Sequence, residues 1–214
     1  MLDAAGRERR VRDLDLGLPN HTAEISPLIL HVLAEELTAG GVQYREEPFR
    51  LRAGGESHWY YDGRNAVMRY HPGMLLAKLT ALKLQVFGDT NFTRVAGMGV
   101  GGSAYALSLS WVLGLEAIQG NDDTSPGQRY GYGLWGGTVP GESVLVADDT
   151  LTTGDSLCNL ISMVRKEGGL VEQATVVADR SNGEAGAAIY SELGVRVFSL
   201  FQMDGIHGLI APDY

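Results

Sequence analysis

The order of apolar and polar positions predicts alternating strands and helices in the second half of the chain. From residue 93 onward, short apolar runs are each followed by a glycine-rich turn and a segment with helical spacing of apolar residues. Five strands are predicted, at residues 94–96, 115–118, 144–147, 171–178 and 195–200. Helices are predicted between most of them, at residues 103–113, 155–167 and 184–193. This alternation is typical of an α/β fold in which helices cover both faces of a parallel sheet.

The first part of the chain has a different pattern. A helix is predicted from Ser26, an N-cap residue followed by proline, to about residue 38. Two extended segments, residues 49–52 and 59–61, are separated by a Gly-Gly turn and predict a β-hairpin. A second helix is predicted between Pro72 and Gly88. We therefore expect residues 1–92 to form N-terminal helices and a hairpin, packed on an α/β core of residues 93–214 within one compact domain.

Charge and cysteine content limit the partners and the compartment. The chain has 17 Lys and Arg residues against 26 Asp and Glu, a formal net charge of −9, which argues against broad contact with nucleic acid or an anionic membrane. Its one cysteine, Cys158, cannot form an internal disulfide. No apolar run approaches the roughly 18 residues of a membrane span, and the N-terminal segment lacks the apolar core of a signal peptide. These features predict a cytoplasmic protein that binds small molecules.

Residues 143–156 carry the most informative pattern: an apolar strand, two acids, a Thr-Thr-Gly turn and an amphipathic helix. Backbone N–H groups at the helix start, together with nearby hydroxyls, can bind a phosphate. The hydroxyl-bearing residues at this turn are Thr152, Thr153 and Ser156. Gly154 allows the backbone to approach a ligand closely, while Asp148 and Asp149 can accept hydrogen bonds from sugar hydroxyls. The segment therefore predicts a site for a sugar phosphate.

This segment resembles the phosphoribosyl-pyrophosphate (PRPP) motif of type I phosphoribosyltransferases, in which a strand is followed by Asp-Asp, Thr-Thr-Gly-x-Ser and a helix. Further segments narrow the resemblance to orotate phosphoribosyltransferases. Residues 49–61 resemble the hood segment of that family, residues 95–102 its pyrophosphate-side loop and residues 200–204 its C-terminal signature. Asp179-Arg180 also ends a strand, as in the family. The resemblance covers most of the chain from Phe49 to Asp204 and implies the type I phosphoribosyltransferase fold with a small N-terminal hood.

The resemblance implies a glycosyltransferase that moves a 5-phosphoribosyl group from PRPP to an orotate-like base, in pyrimidine nucleotide synthesis. The transfer would invert the anomeric carbon through a cation-like transition state. Mg²⁺ is expected with PRPP, held mainly through the substrate rather than by a protein metal site. A nucleoside monophosphate is the expected product, and a homodimer the expected assembly.

By position, the resemblance also assigns residues to the two ends of PRPP. The 5′-phosphate falls on Thr150, Leu151, Thr152, Thr153, Gly154, Asp155 and Ser156. Asp148 and Asp149 would hold the ribose hydroxyls, and together with Arg129 they form the expected catalytic set. Val100 and Gly101 fall on the pyrophosphate side.

The base is assigned to aromatic and cationic residues of the hood and of a strand end. It would lie between Tyr60, Tyr61 and Thr152, with Arg52 and Arg180 supplying positive charge. Arg52 occupies a position where the family usually has lysine. A flat anion suits aromatic faces and a planar guanidinium, so the chemistry agrees with this assignment.

The segment after the second predicted strand differs from the family in its charged residues. The family has a mobile loop there, rich in Arg, Lys and His, that closes over pyrophosphate. Residues 119–133 of this chain hold two acids and one arginine, and Arg129 is the only Lys or Arg between residues 95 and 164, a stretch with no His. Leaving-group charge is normally stabilised by preorganised cations or a metal.

Three interpretations of this departure stay open. In the first, Arg129 and Mg²⁺ suffice for pyrophosphate release. In the second, the substrate has changed to a ribosyl donor with a less charged leaving group or to another base. Alternatively, the chain is a non-catalytic nucleotide- or ribose-phosphate-binding homologue that has lost the pyrophosphate clamp.

Other features carry less weight. Residues 97–102 satisfy the G-x-G-x-x-G dinucleotide pattern, but about ninety residues precede them and an oxidoreductase would leave the Asp148 turn unexplained. Cys158, Trp111 and Trp135 are expected to be core residues.

Overall fold

The computed structural model describes residues 41–50, 56–87, 91–122, 133–137, 140–204 and 208–210. The helix predicted at residue 26 and the candidate site residues Arg52 and Arg129 lie outside these ranges.

The predicted hairpin is present. Strand β1 (Val42–Arg50) pairs antiparallel with β2 (Glu56–Tyr61), in a register that runs from Val42 opposite Tyr61 to Arg50 opposite Glu56. The first strand begins seven residues before Phe49, the predicted start. The added residues are mostly polar and exposed, so their hydrophobic pattern gave no strand signal.

Two helices connect the hairpin to the sheet. Helix α1 (Gly63–Val67) has only five residues, too few to show a helical period in the sequence, and it was not predicted. Helix α2 (Tyr70–Phe87) begins two residues before Pro72, which the first turn of a helix tolerates because its N–H needs no partner there. Both helices contribute to the same hydrophobic core as the central sheet, through Val67 and Leu76 among others.

Among the described residues, the central sheet has seven strands, numbered along the chain and arranged in the order β5-β4-β3-β6-β7-β8-β9. The parallel strands are β3 (Arg94–Met98), β4 (Glu116–Asn121), β6 (Val144–Leu151), β7 (Gln173–Asp179) and β8 (Arg196–Asp204). The antiparallel edge strands are β5 (Gly133–Trp135) and β9 (Gly208–Ile210). The structure confirms the predicted α/β fold with a mostly parallel sheet. The two antiparallel edge strands were not predicted, because a run of three residues is too short to show the alternation of apolar and polar positions that marks a strand.

Helices cover both faces of this sheet, as predicted. Alternate residues of a strand point to opposite faces. Val95 and Leu145 therefore pack with helix α2 and with helix α3 (Gly99–Leu113). Their neighbours Ala96 and Val146 pack with helices α4 (Asp155–Lys166) and α5 (Glu184–Leu193).

Several boundaries and positions differ from the sequence prediction. Strand β6 continues to Leu151, so Asp148 and Asp149 lie within the strand rather than after it. Trp111 and Trp135 are 64% and 41% exposed, so the prediction that they are core residues was wrong. The helical period places Trp111 on the face of α3 opposite the buried Leu109 and Leu113, and that face is exposed to solvent.

In the part of the chain described here, no helix combines the length and apolarity needed to span a bilayer. The domain boundary at residue 92 stays a prediction.

Candidate active site

A cavity of about 760 Å³ opens at the carboxyl ends of the central strands. Its walls come from β1, β2, α1, the start of α3, the end of β6 and the turn before α4. Asp122 after β4, Arg180 directly after β7 and Met203 of β8 complete the lining. Ligands of open α/β sheets bind at this edge. The cavity therefore lies where the sequence prediction places the ligand.

The turn between β6 and α4 presents hydroxyls to the cavity. Thr150, Thr152 and Ser156 line it. Gly154 precedes α4 with a φ of 88°, a left-handed conformation that favours glycine. The backbone N–H groups that open a helix have no partner inside that helix and attract anions. This turn therefore combines backbone donors with side-chain hydroxyls.

The other residues predicted for this turn do not line the cavity with their side chains. Leu151 is buried in the core, and its carbonyl accepts a hydrogen bond from the backbone N–H of Arg180 at 2.8 Å. The Thr153 hydroxyl donates to Asp155 Oδ2 at 2.8 Å. Thr153 and Asp155 therefore brace the turn, and a ligand would meet this part of it through the backbone.

Asp148 and Asp149 lie side by side at the base of the cavity. Asp148 Oδ1 accepts a hydrogen bond from the Asp149 backbone N–H at 2.9 Å. Burial, followed by the charge of Asp149, raises the pKa of Asp148 well above its ordinary range. Asp148 therefore holds its proton more tightly than a surface carboxylate would.

Three glycines leave the room that this pair occupies. A Cβ at Gly63 or at Gly101 would overlap the Asp149 carboxylate, and one at Gly102 would lie 2.8 Å from Asp148 Oδ1. Gly63 belongs to α1, whereas the other two belong to the first turn of α3. Two helices thus contact the acidic pair closely, and each does so through a residue without a side chain.

Aromatic and cationic groups form the opposite wall. Tyr60 lines the cavity, and its ring lies 5.2 Å from that of Phe49 and 5.7 Å from the Arg180 guanidinium carbon. Burial lowers the pKa of Arg180, which a neighbouring anion would offset.

Tyr61 also borders the cavity, but its side chain is only 2% exposed. Its hydroxyl is buried, has no hydrogen-bond partner within the described ranges, and has a pKa raised by burial and by the charge of Asp149. Tyr60 and Tyr61 are successive strand residues whose side chains point to opposite faces, so only Tyr60 offers an open ring face.

Two arginines that the sequence prediction missed join Arg180 at the cavity. They are Arg50, at the end of β1, and Arg64, in α1. Arg50 could have been suggested by its position two residues before Arg52 in an extended segment. Arg64 had no such signal, because the helix that carries it was not predicted.

Of the two residues expected on the pyrophosphate side, Gly101 is buried and Val100 is 61% exposed, and both line the cavity.

Comparison with known proteins gives a consistent set of relatives. The chain is 32% identical over 161 residues to the orotate phosphoribosyltransferase of Pyrobaculum islandicum, spanning 74% of this chain and 79% of that protein. It is 34% identical over 181 residues to the protein of the same name from Pyrobaculum calidifontis, spanning 82% and 88%. No family model matches the chain.

A solved structure supports the same relationship. The orotate phosphoribosyltransferase of Mycobacterium tuberculosis, in complex with PRPP, superimposes with a TM-score of 0.63 at 26% identity, covering 83% of this chain and 98% of that one. The fold and the acidic pair above a hydroxyl-lined turn define a type I phosphoribosyltransferase. Within that class, the chain belongs to the orotate phosphoribosyltransferase family.

Proposed function

We propose that this chain transfers the 5-phosphoribosyl group of PRPP to orotate, releasing pyrophosphate and forming orotidylate for pyrimidine nucleotide synthesis. The observation that carries the proposal is the cavity itself. It brings the Asp148-Asp149 pair, the hydroxyl-lined turn and the Tyr60-Arg180 wall around one space of about 760 Å³. A ribose with a phosphate on one side and a flat anionic base on the other matches these three surfaces.

The 5′-phosphate binds at the turn before α4. The hydroxyls of Thr152 and Ser156 and the backbone N–H groups at the helix start donate to its oxygens. This site needs no lysine or arginine because the donors are preorganised by the strand and the helix. The stretch of chain around it can therefore remain poor in cations.

The ribose lies over the acidic pair. Its hydroxyls donate to Asp148 and Asp149, whose negative charge favours the positive charge that develops at the anomeric carbon. As the reaction proceeds, the bond from that carbon to the pyrophosphate oxygen breaks with both electrons leaving on the oxygen. A ring nitrogen of the base then forms the new bond from the opposite face with its electron pair, and its proton is released with the pyrophosphate or to solvent.

The base binds between the hood and the end of β7. Tyr60 stacks on its face, and the planar guanidinium of Arg180 pairs with a carboxylate or ring oxygen. Tyr61 supports this wall from the core side rather than stacking on the base.

Mg²⁺ enters with PRPP in this proposal. Within the described ranges, no group of three or more His, Cys, Asp or Glu could hold a metal ion. In the proposal, substrate oxygens would hold the cation. When bound, it neutralises pyrophosphate charge. The catalytic role of Arg129, the base contact of Arg52, the homodimer and the cytoplasmic location stay predictions from the sequence.

A steady-state assay with orotate, PRPP and Mg²⁺ tests the proposal. We expect orotidylate to form, and we expect replacing both acids with asparagine to abolish turnover. Absence of orotidylate at micromolar wild-type enzyme would contradict the proposed activity. Calorimetry that detects tight binding of a nucleoside monophosphate and none of PRPP would instead favour the non-catalytic homologue.

A further inference from the structure

Positive charge is scarce where a departing pyrophosphate would need it. Between residues 95 and 164, Arg129 is the only Lys or Arg. Within the described ranges, the arginines that line the cavity are Arg50, Arg64 and Arg180, and none of them comes from that stretch. Arg180 lies against the Tyr60 ring on the base side. The remaining two belong to the N-terminal region, and their positions decide which one can meet pyrophosphate.

Arg64 lines the cavity beside the acidic pair, the part of the cavity that the proposed function assigns to the ribose. It follows Gly63, which packs directly on the Asp149 carboxylate and on the Thr150 hydroxyl. Gly101 approaches the same carboxylate from the first turn of α3, and α1 packs on both α3 and β6. Arg64 is therefore anchored one residue from the contact with Asp149. Arg50, in contrast, lies at the end of β1 in the hairpin, opposite Glu56 in the strand register.

Asp62 fixes the orientation of the Arg64 guanidinium. Arg64 Nε donates to Asp62 Oδ1 at 2.7 Å, and its Nη2 donates to Oδ2 at 2.8 Å. A guanidinium has five N–H donors, so this paired contact leaves three for a ligand. The Arg64 side chain is 55% exposed, which keeps those donors accessible from the cavity. The geometry is that of a cation held in one orientation by a neighbouring acid.

We propose that Arg64 binds the pyrophosphate of PRPP and stabilises its departure, with Asp62 as the residue that positions it. The inference rests on the proposed function, because pyrophosphate is a ligand only if PRPP is the substrate. A planar guanidinium can contact two phosphoryl oxygens at once, which a single backbone donor cannot do. Arg64 thus supplies from α1 the charge that the first turn of α3 lacks.

The test separates pyrophosphate from the rest of the substrate. For Arg64→Gln, we expect kcat/KM for PRPP to fall by roughly 100-fold, in the range found for loss of one preorganised donor to a developing negative charge. In the reverse reaction, KM for pyrophosphate should rise by about 10-fold or more, and the Kd of orotidylate should stay within about 2-fold of wild type. Arg64→Lys should recover part of the loss, because it restores the charge without the fork.

Two further variants distinguish contact from folding. Arg69→Gln changes an exposed arginine of the α1–α2 connection that does not line the cavity, and it should leave all three quantities unchanged. Asp62→Asn should give an intermediate loss, because the charge of Arg64 remains but its orientation is weakened. Thermal denaturation should show each variant folded at the assay temperature.

Two outcomes would overturn the inference. One is an unchanged KM for pyrophosphate in Arg64→Gln. The other is a fall in orotidylate affinity as large as the effect on pyrophosphate, which would place Arg64 on the nucleotide instead. Calorimetry with PRPP needs no turnover, so weaker PRPP binding by Arg64→Gln would support the inference even if the wild type formed no orotidylate.

Discussion

Helices α3 and α4 begin in the same way but carry different chemistry. Each follows one of two neighbouring parallel strands, β3 and β6, and each start includes a glycine in the left-handed region, Gly99 at a φ of 68° and Gly154 at 88°. The start of α4 places Thr152 and Ser156 at the cavity. The start of α3 is Gly-Val-Gly-Gly, with no hydroxyl and no charge.

The difference follows from what each helix start contacts. The start of α4 faces open space, so its side chains can serve a ligand. The start of α3 faces the acidic pair, where a Cβ at Gly101 would overlap Asp149 and one at Gly102 would lie 2.8 Å from Asp148. A helix start that must pack on carboxylates has no room for a cationic side chain at those positions. The positive charge for that side of the cavity therefore has to come from another element, and α1 supplies Arg64.

The largest expected effect comes from removing the charge of Asp149, on which the start of α3 packs. Asp149→Asn should lower kcat/KM for PRPP by roughly 100- to 1,000-fold, because a neutral amide no longer favours the positive charge at the anomeric carbon. Steady-state kinetics with orotate and PRPP measure this. The control is Glu184→Gln, an exposed acid in the first turn of α5. A loss below 3-fold in Asp149→Asn would remove Asp149 from the catalytic set.

A smaller loss is expected from filling the space at the start of α3. In Gly101→Ala, the new Cβ displaces the Asp149 carboxylate, and kcat/KM should fall by roughly 10- to 100-fold because a shift near 1 Å misplaces the ribose. Gly186→Ala is the matched control, since a Cβ there would meet Val197 at an ordinary 3.7 Å. Equal activity of the two variants would show that close packing on Asp149 has no catalytic role.

Removing hydroxyls from the start of α4 should weaken the binding of PRPP and orotidylate rather than slow the departure of pyrophosphate. Thr152→Val and Ser156→Ala should each raise KM for PRPP and the Kd of orotidylate by about 10-fold, the effect of losing one hydrogen bond to a charged group. Ser162→Ala is the control, because its exposed hydroxyl donates to the Cys158 carbonyl within α4 and does not line the cavity. Calorimetry with orotidylate is the measurement. If orotidylate affinity stayed at the wild-type level in both variants, the phosphate would have to bind elsewhere.

The smallest effect concerns stability. The pKa of Asp148 is raised by burial and by Asp149, so the folded state binds its proton more tightly than the unfolded state, and stability falls as pH rises above about 4 through the raised pKa. Asp148→Asn removes this loss. Its melting temperature should exceed that of the wild type by about 2–4 °C at pH 8, and the gap should close on acidification. Thermal scans from pH 5 to pH 8 measure this, and a gap that widens toward pH 5 would contradict the assignment.

The elements with strong local patterns were predictable. The five central strands, the acidic pair and the hydroxyls of Thr152 and Ser156 are consecutive or regularly spaced in the chain, so hydrophobic period and turn chemistry predict them. Helix α5 was predicted with the bounds that the structure shows, because Gly183 and Gly194 flank it with left-handed conformations.

The missed features depend on contacts between distant segments. Tyr61 and Tyr60 have the same residue type and adjacent positions, and only the packing of the hairpin on the core buries one and leaves the other at the cavity. Trp111 is large and apolar, yet it lies on the solvent side of α3 because the sheet side is filled by Leu109 and Leu113.

The amino-acid sequence alone was enough to predict the mostly parallel sheet and to place two acids and a hydroxyl-bearing turn at the end of one of its strands, because each arises from residues that are neighbours along the chain. The tertiary structure decided how the opposite side of the cavity is built. It brings Gly63 and Gly101, 38 positions apart, onto one carboxylate, and with Gly63 it carries Arg64 to the cavity. Close packing of separate helices on a buried charge sets that arrangement, and no local period in the sequence encodes it.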